Sequence, residues 1–108
     1  MPQINIEYDK DVVSLEAVKK VSIGIQKVLE DLTPGKHVFV NASSFDFSLN
    51  SDPLEIIISL NKDIITGKRK PYLDAIVEQF KVWKKSENFT VPTNIVLIPM
   101  DWDLKINV

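Results

Sequence analysis

Pro2-Gln-Ile-Asn-Ile-Glu-Tyr8 and Pro53-Leu-Glu-Ile-Ile-Ile-Ser59 decide how this chain folds. Each opens with a proline and continues as a strand, and proline suits a strand start because no amide donor is needed there. In the first, Ile4, Ile6 and Tyr8 alternate with Asn5, Glu7 and Asp9, the period-two signature of a strand over 2–8 with one buried face. In the second, Leu54 to Leu60 carries the run Ile56-Ile57-Ile58, which predicts burial on both faces.

Outward from these strands the pattern turns helical. Ser14 reads as an N-cap with Glu16 in the first turn. Leu15, Val18, Val21, Ile25, Val28, Leu29 and Leu32 follow at helical spacing, and Thr33-Pro34-Gly35 stops the helix. Gly24 sits inside it at a cost of about 1 kcal/mol relative to alanine, which close packing onto a sheet would justify. His37 to Phe47 is extended, with Val38 and Val40 on one face and Phe39 on the other, and Asn50 to Pro53 is a turn. After the second proline-headed strand, Asn61 to Lys70 reads as a polar loop. Tyr72, Ile76, Val77, Phe80 and Trp83 then mark a second amphipathic helix ending near Asn88. Asn94 to Met100 is an apolar strand in which Pro99 predicts a bulge or a sheet edge, and Asp103 to Val108 suffices for a short closing strand.

The chain therefore repeats itself. Val38-Phe39-Val40 recurs as Ile95-Val96-Leu97 at an offset of 57, and the same offset sets Phe45-Asp46-Phe47 on Trp102-Asp103-Leu104. Two strand–helix–strand halves, 1–49 and 53–108, make one domain. The extra residues of the second half fall in the Asn61–Lys70 loop. Right-handed crossovers give each half two parallel strands with its helix on one face. Edge-to-edge joining then predicts an α+β (α/β) tandem βαβ fold, a four-stranded mixed sheet with both helices on one side. Its other face is left bare and apolar, an association surface. The competing arrangement is an unrepeated ferredoxin-like sandwich.

Composition narrows the function. The 108 residues, 44% hydrophobic and 26% charged, are those of an ordinary globular domain. A net charge of −2 argues against nucleic acid as a partner. The absence of cysteine excludes disulfides and thiolate chemistry, and the single histidine, His37, excludes a His-rich metal site or a conventional triad. No signal peptide or spanning segment is read from the chain, so a cytoplasmic protein without membrane contact, metal or cofactor is expected. Thr66-Gly67-Lys68 is not a phosphate loop, because Lys62 and Arg69 stand where glycine and Ser or Thr are required.

Met1-Pro2-Gln3-Ile4-Asn5-Ile6-Glu7-Tyr8, heading a twofold βαβ repeat of this length, resembles the tautomerase superfamily of 4-oxalocrotonate tautomerase and macrophage migration inhibitory factor. Ser59-Leu60 through Arg69-Lys70-Pro71-Tyr72 carries the same likeness, and Val40 to Phe47 is similar to a group of bacterial tautomerase-like proteins. The resemblance implies a homotrimer with the bare sheet faces turned inward, and the N-terminal proline as catalytic base. With Met1 removed, Pro2 is a secondary amine; retained, it leaves Pro2 an amide that cannot be a base. A neutral amine can move a proton between a carbon beside a carbonyl and another position, which is keto–enol tautomerisation of a small 2-oxo acid.

Three further residues are candidates for substrate binding. Arg69 is the only arginine, placed in Lys68-Arg69-Lys70 before the second helix, where its planar fork suits a carboxylate. The competing reading of that run is a solvated charge cluster. Lys36 follows the first helix stop, close to where the migration inhibitory factor group has a pocket lysine. Trp102, like Phe45, either walls an apolar pocket or packs in the core or between subunits. A non-catalytic oligomeric protein built on the same scaffold is the rival to an isomerase.

Overall fold

The computed structural model describes residues 2–35, 37–45, 52–101 and 107. In chain order the elements are β1 (Gln3–Tyr8), α1 (Leu15–Leu32), β2 (Phe39–Ser44), β3 (Leu54–Asn61), α2 (Lys62–Ile65), α3 (Arg69–Ser86) and β4 (Thr93–Met100). The sheet order is β2-β1-β3-β4. β1 and β2 are parallel, β3 and β4 are parallel, and β1 and β3 join the two pairs antiparallel. Adjacent parallel strands within each half rule out the ferredoxin-like alternative, whose βαβ units are split.

The alternation of β1 delivers Ile4 and Ile6, both 0% exposed, to the helix-covered side. Ile56 and Ile58 of β3 sit opposite them in register. Val21, Ile25 and Leu29 of α1 and Ile76 and Phe80 of α3 close the same core, so both helices lie on one side of the sheet. The caps read from the sequence are in place. Ser14 Oγ accepts from the Ala17 N–H at 3.1 Å, and the Thr33 N–H and hydroxyl donate to the Leu29 carbonyl at 2.9 and 2.6 Å. Gly35 follows in the left-handed region at φ 78°.

Several expectations change. The segment Asn61–Lys70 is not a loop but the end of β3, the helix α2, a turn through Gly67 (φ 71°) and the start of α3. The Asn61 side chain caps α2 by accepting from the Asp63 N–H at 2.9 Å, and Ile65 is driven into the core at 2% exposure. Gly24 is needed for close packing, as expected, but against Trp83 of α3 rather than the sheet. Pro99 lies on an edge strand with no bulge, since Leu60–Pro99 and Asn61–Met100 pair without a break. Ile57 is half-buried rather than buried. The closing strand, and most of the Phe45–Phe47 and Trp102–Leu104 match, lie outside the described residues.

The prolines that head the two halves are not equivalent in facing. Pro2, two residues before Ile4, is buried on the helix side, whereas Pro53 precedes the helix-facing Leu54 and so falls on the opposite parity. The offset of 57 does preserve facing: buried Val38 and half-buried Ile95 share the helix side, exposed Phe39 and Val96 the other.

The uncovered face is graded rather than uniformly apolar. Its register rows are Phe39-Gln3-Ser59-Ile98, then Asn41-Asn5-Ile57-Val96, then Ser43-Glu7-Glu55-Asn94. Polar residues at the outward positions of β1 and β2 account for the difference. In the last row Glu7 and Glu55 stand directly opposite each other, an unfavourable like-charge pair. Glu7→Gln is therefore expected to raise stability by about 0.2–1 kcal/mol. Urea denaturation at low salt should show a gain that shrinks as salt is added.

Candidate functional site

β1 starts at the end of the sheet where β3 and β4 finish, because it runs antiparallel to β3. At that end a cleft of about 480 Å³ is lined by Lys62, Thr66, Arg69, Lys70, Pro71 and Pro99, with Ile65 and Gly67 completing its wall. Its shape follows from local structure. β3 passes directly into α2, the Thr66 hydroxyl donates back to the Lys62 carbonyl at 2.5 Å, and Gly67 turns the chain into α3. The first turn of α3 then presents Arg69, Lys70 and Pro71 to the same space. Proline is well placed there, where its missing N–H has no partner to lose.

Three cations thus border one cleft. Lys62 Nζ donates to Asp101 Oδ2 at 2.8 Å. That hydrogen bond, with the carboxylate charge, holds the Lys62 ammonium above the ordinary lysine range. Both side chains remain largely in water, so the pair is a weak one. Such a surface attracts and orients a small anion, with Arg69 supplying a bidentate fork and the lysines point charges.

Of the residues singled out in the sequence, Arg69 is exposed on this cleft. Pro2 is buried, and its carbonyl accepts from the Phe39 N–H at 3.2 Å. Carrying the β1–β3 register one residue beyond Gln3 sets Pro2 opposite Leu60, which pairs with the cleft residue Pro99. Pro2 and Arg69 therefore share one end of the sheet, but Pro2 is not part of the cleft wall. Lys36 and Trp102 lie outside the described residues. Sequence reading missed Lys62, Pro99 and Asp101. The available signal was Asn61-Lys62-Asp63, a capping sequence directly after a strong strand.

A second hollow, about 270 Å³, lies between the helices and is lined by Gly24, Lys27, Val28, Asp31, Val82 and Trp83. Nearby, Tyr72 reaches from α3 toward the Leu32 carbonyl at 3.5 Å, and burial pushes its phenol above the ordinary value. Among the described residues no helix is long and apolar enough to cross a membrane.

No family model matches the sequence, and no curated protein matches it. Solved structures do match by shape. A 5-carboxymethyl-2-hydroxymuconate delta-isomerase superposes with a TM-score of 0.66 over 99% of this chain and 89% of its own, at 10% identity. A macrophage migration inhibitory factor-like protein from Entamoeba histolytica gives 0.60 over 96% of this chain and 95% of its own, at 12% identity. The likeness is one of fold, and the chain shares the α+β architecture of these two proteins.

Proposed function

We propose that this protein is a tautomerase-type isomerase of small 2-oxo acids or their enols, with Pro2 as general base. The observation that carries this reading is a buried Pro2 at the same end of the sheet as the Arg69 cleft. Removal of Met1 leaves Pro2 a secondary amine, and an unperturbed α-amino group titrates near 8. Burial disfavours the ammonium form, so the neutral base is populated near neutral pH. The amine takes a proton from the carbon beside the substrate carbonyl and returns it at another carbon or at oxygen, with no net change in atoms or electrons. Arg69 holds the substrate carboxylate with Lys62 and Lys70 beside it, Lys36 adds a further cation, and Trp102 supplies an apolar wall. A homotrimer covers the exposed Phe39, Val96 and Ile98 of the open sheet face.

Enol-ketonisation rates on untagged protein test the proposal. Pro2→Ala is expected to lose about a hundredfold or more in kcat, the usual weight of a general base. Arg69→Ala should act chiefly on KM. Equal rates for the native protein and Pro2→Ala would overturn the assignment. A second reading is favoured by Leu60, which stands in register between Pro2 and the cleft residue Pro99. In that reading the scaffold is a non-catalytic oligomeric binding protein. It predicts a trimer by sedimentation with no turnover of any 2-oxo acid.

A further inference from the structure

We infer that Asp101 is a built-in competitor for carboxylate ligands of the Lys62–Arg69–Lys70 cleft, occupying the ammonium that an incoming carboxylate would otherwise reach. The inference rests on the carboxylate reading of the cleft given above, and adds what sets its affinity.

The pair is placed by the sheet rather than by a chance meeting of two long side chains. Asn61 of β3 is in register with Met100 of β4, so the next residues, Lys62 and Asp101, leave the sheet side by side. Lys62 lines the cleft, and its ammonium is 2.8 Å from the Asp101 carboxylate. The other ion pairs among the described residues, Lys20–Glu87 and Lys81–Glu78, involve none of the residues that line the cleft. Asp101 thus sets a hydrogen-bonded negative charge against a cleft lined by Lys62, Arg69 and Lys70, with Asp63 a weaker acidic neighbour of Lys62.

A carboxylate entering between these cations meets Asp101 in two ways. It must draw Lys62 off its partner, and it is repelled by the Asp101 charge at short range. The Lys62–Asp101 pair is 53% and 79% exposed, so it yields without a large penalty. A ligand with two carboxylates competes better than one with a single charge, because attraction to the three cations grows with ligand charge. The net positive cleft therefore favours more highly charged acids, and Asp101 lowers the affinity for all of them.

Titration of the full chain with malonate, followed by NMR shifts of the Thr66 and Gly67 amides, tests this. Asp101→Asn is expected to tighten malonate about two- to fivefold, the scale of one exposed ion pair removed. The gain should shrink to less than twofold in a Lys62→Ala background, and thermal stability should be unchanged in both. An unchanged or weaker affinity in Asp101→Asn overturns the inference, as does an equal gain with and without Lys62. Because the readout is binding, the experiment stands apart from turnover. An active enzyme with no gain in Asp101→Asn defeats this inference alone, and a gain in a protein without turnover defeats only the isomerase reading.

Discussion

Ile58→Ala is expected to destabilise the protein by about 2–5 kcal/mol, the range for emptying a fully enclosed aliphatic site. Ile58 is 0% exposed at the middle of β3, with Ile4 beside it on β1 and Leu97 on β4. The helices cover it from above through the shared core. A rigid sheet on one side and two helices on the other leave little room to collapse into the space vacated. A small domain holds about 5–15 kcal/mol in all, so this one change removes a large fraction. Ile57 is the internal control. It has the same chemistry and adjoins Ile58 in the chain, but it faces the uncovered side and is half-buried. Ile57→Ala should lose much less in the monomer, and urea midpoints that rank the two the other way would contradict the assignment of faces.

Gly24→Ala should lower stability by about 1–3 kcal/mol through overpacking, even though alanine is the better helix former by about 1 kcal/mol. A Cβ on Gly24 would come within 2.8 Å of Trp83 Cζ2 and still nearer to other atoms of the indole. The ring has little freedom to retreat. It stacks on Phe80 at 5.5 Å and 21°, and meets Phe89 at 5.2 Å and 50°. In a Trp83→Leu background the same alanine should be neutral or stabilising, since only the helix preference remains. A stabilising Gly24→Ala in the wild type would show that α1 and α3 do not approach this closely.

The sheet and α1 were legible because their signals are strong and agree. Ile4 and Ile6 alternate with polar residues, and Val18, Val21, Ile25 and Leu29 keep a helical period behind a serine cap. The tandem repeat then left few ways to order the strands. What escaped was information that polar side chains obscure or that only distant contacts supply. Lys62 and Asp63 hid a one-turn helix anchored in the core through Ile65. Gly24 announced a close approach without naming Trp83, 59 positions away along the chain. The outward Asn5, Glu7, Asn41 and Ser43 did carry a readable signal, a polar stripe on what was expected to be an apolar face.

The candidate site was legible only in part. Arg69 stood out as the sole arginine before a helix, and it does border a cleft. Its companions Lys62 and Asp101 come together through the β3–β4 register, which no local pattern encodes. Pro2 was conspicuous by position, yet its role depends on the chemical state of its nitrogen rather than on any contact.

That nitrogen is therefore where the functional account is most directly tested. ¹⁵N NMR titration of the Pro2 nitrogen in untagged, natively processed protein reads it. The expected result is a free secondary amine that titrates below the ordinary value near 8. A Pro2 nitrogen still bound to Met1, or an amine titrating at that ordinary value, would contradict it.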